Sequence, residues 1–149
     1  MILFWEDRMA ERWELVPHQG LRSGDVEVLL RTGRDRLRAA LAGRFGAPDE
    51  NRPYEDQFSN EHTTLFLRYD DGLLTSILFI AGSLQYDGIE LYDTTFGTLE
   101  PALTARGFEL REPVEFTDGM DVPGLGVNIA TREDVGSDGD EIEWVALGV

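Results

Sequence analysis

The sequence predicts an α+β protein in which tandem βαββ repeats form one mostly antiparallel sheet with two helices on one face. The phrases LRAAL at residues 37–41 and LEPAL at residues 99–103 share the helical spacing of their apolar positions. A short alternating strand precedes each phrase, and two strand-like runs follow it. We therefore expect a single domain, residues 1–149, with repeat halves at about 24–80 and 87–149.

The first half begins with a strand and a helix. Val26-Glu27-Val28 alternates in polarity as a half-buried strand does. Thr32 lies where an N-cap is expected, before apolar residues at positions 37, 40, 41 and 45, and Gly46 ends the helix. Upstream, Trp13–Val16 predicts a further short strand.

A loop and a hairpin complete the first half. Residues 47–62 are polar and contain two prolines, so we expect them to form the longest loop. Thr63–Tyr69 and Leu73–Ile80 are rich in leucine, isoleucine and phenylalanine, and Asp70-Asp71-Gly72 separates them. An Asp-Gly pair between two such runs is a strong signal for a β-hairpin.

The second half repeats this order. Ile89-Glu90-Leu91 follows Val26-Glu27-Val28 by 63 positions, and Leu99 follows Leu37 by 62. Thr94 or Thr95 is expected to cap the second helix. The chain then closes with a hairpin of residues 125–131 and 142–147 around an acidic turn at residues 133–141, so three consecutive elements agree in order.

The composition is strongly acidic. The chain has 29 aspartates and glutamates against 13 basic residues, all arginine, which gives a net charge of −16, and it has no cysteine. The acidic excess is greatest in residues 109–149. Such a field repels nucleic acid and anionic membranes and attracts cationic partners, although it also serves solubility alone. Without a secretion signal or a long apolar run, a cytoplasmic location is expected.

Catalytic patterns are sparse. The two histidines, His18 and His62, fall in different predicted loops, and His62 with Asp56 is a candidate acid/base pair in an alternative enzymatic or small-ligand interpretation. The tract at residues 134–141 lacks the spacing of a calcium loop, and no cofactor is expected. Arg31, Arg34 and Arg38 share a helix face and are suited either to phosphate or to neighbouring carboxylates.

Tyrosines lie in or beside the acidic segments, and aromatic rings mixed with carboxylates are typical of surfaces that bind basic proteins. The candidate partner-binding residues share this character: Tyr54, Asp56, Tyr86, Asp87, Tyr92, Asp93, Asp118, Asp121, Asp138, Asp140 and Glu141.

Each half of the chain contains a threonine, then an L-x-x-A-L helix, then a Phe/Gly pair. This tandem pattern resembles the helix-plus-sheet repeats of the β-lactamase-inhibitory protein and of small outer-membrane assembly lipoproteins. Residues 13–41 are similar to the opening of small bacterial proteins encoded beside toxins, including immunity proteins. The resemblance implies a sheet surface that binds another protein. We therefore expect a non-enzymatic, cytoplasmic immunity protein, a monomer or weak homodimer, that neutralises a toxin with a basic surface. The alternatives are the His62 site and a homodimeric adaptor joined through residues 142–147.

Overall fold

The computed structural model describes residues 11–114 and 118–148. These residues form strands and two α-helices that contribute to a single core of buried apolar side chains. In chain order the elements are β1 (Arg12–Val16), β2 (Gly20–Ser23), β3 (Val26–Leu29), α1 (Arg34–Phe45), β4 (Glu50–Arg52), β5 (Glu55–Ser59), β6 (Thr64–Asp70), β7 (Leu73–Ala81), β8 (Ser83–Tyr86), β9 (Ile89–Glu90), α2 (Phe96–Ala105), β10 (Met120–Val122), β11 (Val127–Thr131) and β12 (Ile142–Gly148).

The strands form two sheets, and the single sheet expected from the sequence is not observed. The smaller sheet has the order β3-β2-β1-β8-β9, and the larger has the order β10-β11-β12-β7-β6-β5-β4. The chain passes from the larger sheet to the smaller one at Gly82, whose φ of 117° is unfavourable for other residues. A Cβ at Gly82 would lie 2.8 Å from the carbonyl oxygen of His62, so the crossing requires glycine.

The pairing is antiparallel throughout, except that β1 and β8 are parallel. Both predicted hairpins are present, as β6–β7 and as β11–β12. Strand β12 pairs with β11 on one side and with β7 on the other. A homodimer joined through residues 142–147 is therefore not supported by this fold, because a strand paired on both sides has no free edge.

Each helix contributes two leucines to the core. Leu37 and Leu41 of α1 are buried, as are Leu99 and Leu103 of α2. The N-cap of α1 is Gly33 and not Thr32, whereas Thr95 caps α2 by accepting a hydrogen bond from the backbone N–H of Thr98.

The expected loop at residues 47–62 contains strands β4 and β5. Phe58 of β5 is fully buried, and so is Asp56. The polar composition of residues 47–62 did not predict β5. The buried carboxylate of Asp56 is neutralised by arginines of α1, which lie outside this segment. Residues that look suited only to solvent therefore extend the larger sheet.

The two faces of the larger sheet differ in character. One face carries the core residues of the central strands, such as Ile77 and Leu147, which pair across the sheet. The opposite face, here called the outer face, carries the alternate positions Asn128, Ala146 and Leu78 in one cross-strand row. In the described part of the chain, no helix has the length and apolar character needed to cross a membrane.

Candidate functional site

The candidate residues occupy separate places on the molecule. Tyr92, Asp93 and Glu141 come together and line one groove, with Asp140 next to them in the chain. Tyr86 and Asp87 lie at the β8–β9 turn, Asp118 lies just before β10 and Asp121 within it, and Asp138 is exposed in the β11–β12 loop. Tyr54, with 70% of its surface exposed, lies at the β4–β5 turn.

A group of carboxylates that includes Asp93 surrounds Tyr92. These two residues are shared by two open grooves, of about 440 and 490 Å³. Glu141 and Glu143 line the first groove, and Glu11 lines the second. We call the set Glu11, Tyr92, Asp93, Glu141 and Glu143 the acidic ridge. The basic residues lining these grooves are Arg132 in the first and His62 in the second.

Glu90 fixes the backbone of the acidic ridge. One oxygen of its carboxylate accepts hydrogen bonds from the backbone N–H groups of Leu84, Tyr92 and Asp93, at 2.9, 3.1 and 3.0 Å. The other oxygen accepts from the Ser83 hydroxyl at 2.5 Å. A charged acceptor makes each of these bonds stronger than a neutral one would be. The carboxylate of Asp93 therefore stands on a loop held in one conformation.

The ring of Tyr92 is half-buried and serves as support. Its hydroxyl donates to the backbone carbonyl of Ile80, and its ring meets Phe79 edge to face with centroids 5.4 Å apart. Burial raises the pKa of Tyr92, and the negative charge of Glu143 raises it further. The phenol therefore remains neutral and keeps its role as a donor.

The acidic loop is attached to the start of α2. The Asp140 carboxylate accepts from the backbone N–H of Gly97 at 2.8 Å, and its carbonyl accepts from Phe96. A carboxylate at a helix N-terminus is stabilised by the helix dipole. The register of β11 and β12 shifts at the pairs next to Glu143, which forms a bulge beside the groove. Asp140 thus positions Glu141, and one of its carboxylate oxygens is already occupied by the Gly97 N–H.

Asp56 does not belong to any exposed surface. It is fully buried, and its two oxygens accept hydrogen bonds from Arg34 and Arg38 at 2.6 to 3.2 Å. Although burial alone would raise its pKa, the two guanidiniums lower the pKa to about 2. The candidate pair of Asp56 with His62 is not formed, because His62 is exposed and lines the groove of Glu11 and Asp93.

The remaining candidates are largely occupied within the molecule. Asp87 forms an ion pair with Arg106 at 2.7 Å, and Tyr86 packs edge to face against Phe108. The Asp121 carboxylate accepts from the backbone of Val114 and from the side chain of Asn128. These residues hold local structure, and they lie in places other than the acidic ridge.

The sequence did not point to Glu11, Glu90 or Glu143 as candidates. Glu90 stands in a strand that alternates in polarity, where a glutamate is expected to face solvent. Glu11 and Glu143 reach the ridge only through the pairing of β1 with β8 and of β12 with β11. In residues 11–114 and 118–148, no group of three or more histidine or acidic side chains is arranged to hold a metal ion.

Comparisons of the chain with protein families, with curated proteins and with solved structures found no match.

Proposed function

We propose that this chain is a non-enzymatic protein-binding domain whose acidic ridge binds a basic surface of another protein. The observation that carries the proposal is the convergence of Glu11, Asp93, Glu141 and Glu143 on two adjoining grooves. Four carboxylates with one arginine between them produce a local negative field, which speeds the association of a cationic partner.

The ridge is better suited to binding than a solvated acidic tail would be. Glu90 and Asp140 fix its backbone through hydrogen bonds to N–H groups, so little conformational entropy is lost when a partner binds. Tyr92 adds an aromatic surface between the carboxylates, which is the composition of an interface hot spot.

The partner in this proposal is a toxin, and the chain is an immunity protein that acts in the cytoplasm. Toxins that cleave nucleic acid carry basic surfaces around their active sites, since they bind phosphate groups. An acidic ridge that covers such a surface excludes the substrate. The choice of partner follows the expectation from the sequence pattern of residues 13–41, which resembles the opening of immunity proteins.

We also propose that the fold arose by duplication of a unit of about 62 residues. The leucine pairs of α1 and α2 are buried at equivalent positions, and β7 and β12 lie side by side and antiparallel in the larger sheet. The two N-caps add a further correspondence. Gly33 forms an isolated antiparallel bridge with Leu73, where β7 begins, and Thr95 forms one with Glu141, just before β12.

The test is co-expression of this chain with the protein encoded by the adjacent gene, followed by measurement of binding and of protection. A triple variant, Asp93→Asn, Glu141→Gln and Glu143→Gln, is expected to weaken binding about tenfold or more, mainly through slower association. The matched control, Asp25→Asn, Asp49→Asn and Glu100→Gln, changes the net charge equally at exposed sites off the ridge.

The control variant should retain binding and protection. Equal weakening by both variants would show that net charge alone matters, which overturns the role of the ridge. Absence of any complex and of any protection would overturn the immunity function itself.

A further inference from the structure

Another cavity lies away from the acidic ridge, on the outer face of the larger sheet. It is an open groove of about 550 Å³, which is within the size range of small-molecule sites. Ser76, Asn128, Ala146 and Gly148 lie on its floor, and the segment Arg111–Val114 forms one wall. We call this cavity the outer groove. Small side chains on adjacent strands leave the space open.

The wall is held in place by specific hydrogen bonds. The backbones of Arg111 and Asp121 bond to each other in both directions at 2.8 Å. The Asp121 carboxylate also accepts from the backbone N–H of Val114 at 3.0 Å. Val114, with 85% of its surface exposed, is thereby fixed at the mouth of the groove. An apolar side chain held outward at a preformed cavity provides contact area for an apolar ligand.

Two carboxylates, of Asp121 and Glu112, and one guanidinium, of Arg111, line the groove, so its charge is negative. Asp121 accepts hydrogen bonds from two uncharged donors, Val114 and Asn128, and among the described residues it has no cationic partner. Arg111 is turned to Glu109, with nitrogen to oxygen distances of 2.7 and 3.2 Å. Glu112 adds a second negative charge to the wall.

We propose that the outer groove binds a small organic cation with an apolar body, such as an arylalkyl or alkyl ammonium. The apolar body lies against Pro123 and Val114, and the ammonium lies beside Asp121 and Glu112. Each carboxylate oxygen of Asp121 retains acceptor capacity, since each accepts one bond from the protein. This proposal is independent of the acidic ridge and of its partner.

Three ligands of similar size and different charge test the proposal: 2-phenylethylammonium, 2-phenylethanol and 3-phenylpropionate. Each is titrated into the full-length chain while backbone amide shifts are recorded. The ammonium should move amides of the outer groove, including those of Asn128 and Gly148. It should bind about three- to tenfold more tightly than the alcohol, and the carboxylate should bind more weakly still. Equal affinity for the ammonium and the alcohol would overturn the choice of a cation.

Two variants separate the cavity from its charge. Gly148→Leu places a side chain on the groove floor, where the nearest atom to a Cβ is 3.8 Å away, and it should abolish binding. Glu112→Gln removes an exposed charge and should reduce the ratio of the affinity for the ammonium to the affinity for the alcohol. Gln57→Leu places the same leucine side chain on the same sheet face but outside the groove, and it should leave the affinity for all three ligands unchanged.

Retention of full affinity by Gly148→Leu, with Gln57→Leu also unaffected, would place binding elsewhere and overturn the site. The absence of amide shifts at about 10 mM ligand would overturn the proposal as a whole.

Discussion

Asp56 joins α1 to the edge of the larger sheet. Its carboxylate is held by Arg34 and Arg38, and Arg34 also donates to the backbone carbonyls of Arg52, Pro53 and Glu55. Arg34 further lies over the ring of Tyr69, 4.9 Å from the centroid. A buried carboxylate is tolerated here because two guanidiniums and several hydrogen bonds replace its hydration.

The depressed pKa of Asp56 predicts a contribution to acid stability. The pKa is about 2 in the folded chain and 3.8 as the ordinary value, so the carboxylate favours folding by about 2 kcal/mol above pH 4. This contribution should be lost as the pH falls from about 4 to about 2. Urea unfolding of the native chain and of Asp56→Asn at pH 2 to 6 measures it.

The free energy difference between the two chains should be about 2 to 3 kcal/mol at pH 6, because the variant leaves the partly exposed guanidiniums of Arg34 and Arg38 without their anion. The difference should narrow as the pH approaches 2. A difference that stays constant across this range would contradict the assigned pKa of Asp56.

Glu90 offers a second prediction, since it acts on the acidic ridge without being part of it. Glu90→Gln reduces two acceptor oxygens to one and weakens bonds to Leu84, Tyr92 and Asp93, at a cost of about 1 to 3 kcal/mol. Hydrogen exchange of the Tyr92 and Asp93 amides should accelerate. Glu27→Gln, at an exposed position of β3, is the matched control and should leave these amides unchanged.

At the level of elements, the sequence predicted the hairpin turns and the helix cap, which are determined by residues close together in the chain. Asp71-Gly72 and Asp87-Gly88 both have positive φ at each position, as the tight hairpin turns require. Thr95 caps α2 as expected. The sequence missed strand β5 because the carboxylate that it buries is neutralised by arginines of α1. It missed the division into two sheets because this depends on the pairing of β1 with β8, which are distant in the chain. The same reason hid Glu11 and Glu143, whose neighbours are set by strand pairing.

The two threonines that precede α2 provide a test at this level. Thr95→Ala removes the side-chain acceptor for the Thr98 N–H and should destabilise the chain by about 1 kcal/mol. Thr94→Ala is a natural control, because Thr94 uses its backbone and not its side chain to contact Tyr92 and Ile142. Chemical unfolding of both variants should separate them; an equal loss would show that the cap contributes nothing measurable.

At the scale of the whole molecule, charge is distributed unevenly over one fold. Several arginines are engaged in internal contacts, including Arg34, Arg38 and Arg44. The acidic side chains of residues 133–143 are mostly exposed. The net charge of −16 is therefore concentrated at the surface, where carboxylates repel one another across the folded chain.

This repulsion predicts opposite effects of salt on folding and on partner binding. Raising the ionic strength from about 0.01 to about 0.15 M shortens the screening length from about 30 to about 8 Å, so the Tm of the free chain should rise. Association of the partner with the acidic ridge should slow over the same range, since the attraction is screened as well. The triple ridge variant should show a smaller dependence of its association rate on salt than the matched off-ridge variant. A Tm that falls with added salt would mean that favourable surface ion pairs outweigh repulsion in the free chain. If the association rates of both variants depended equally on salt, the attraction would come from the net charge and not from the acidic ridge.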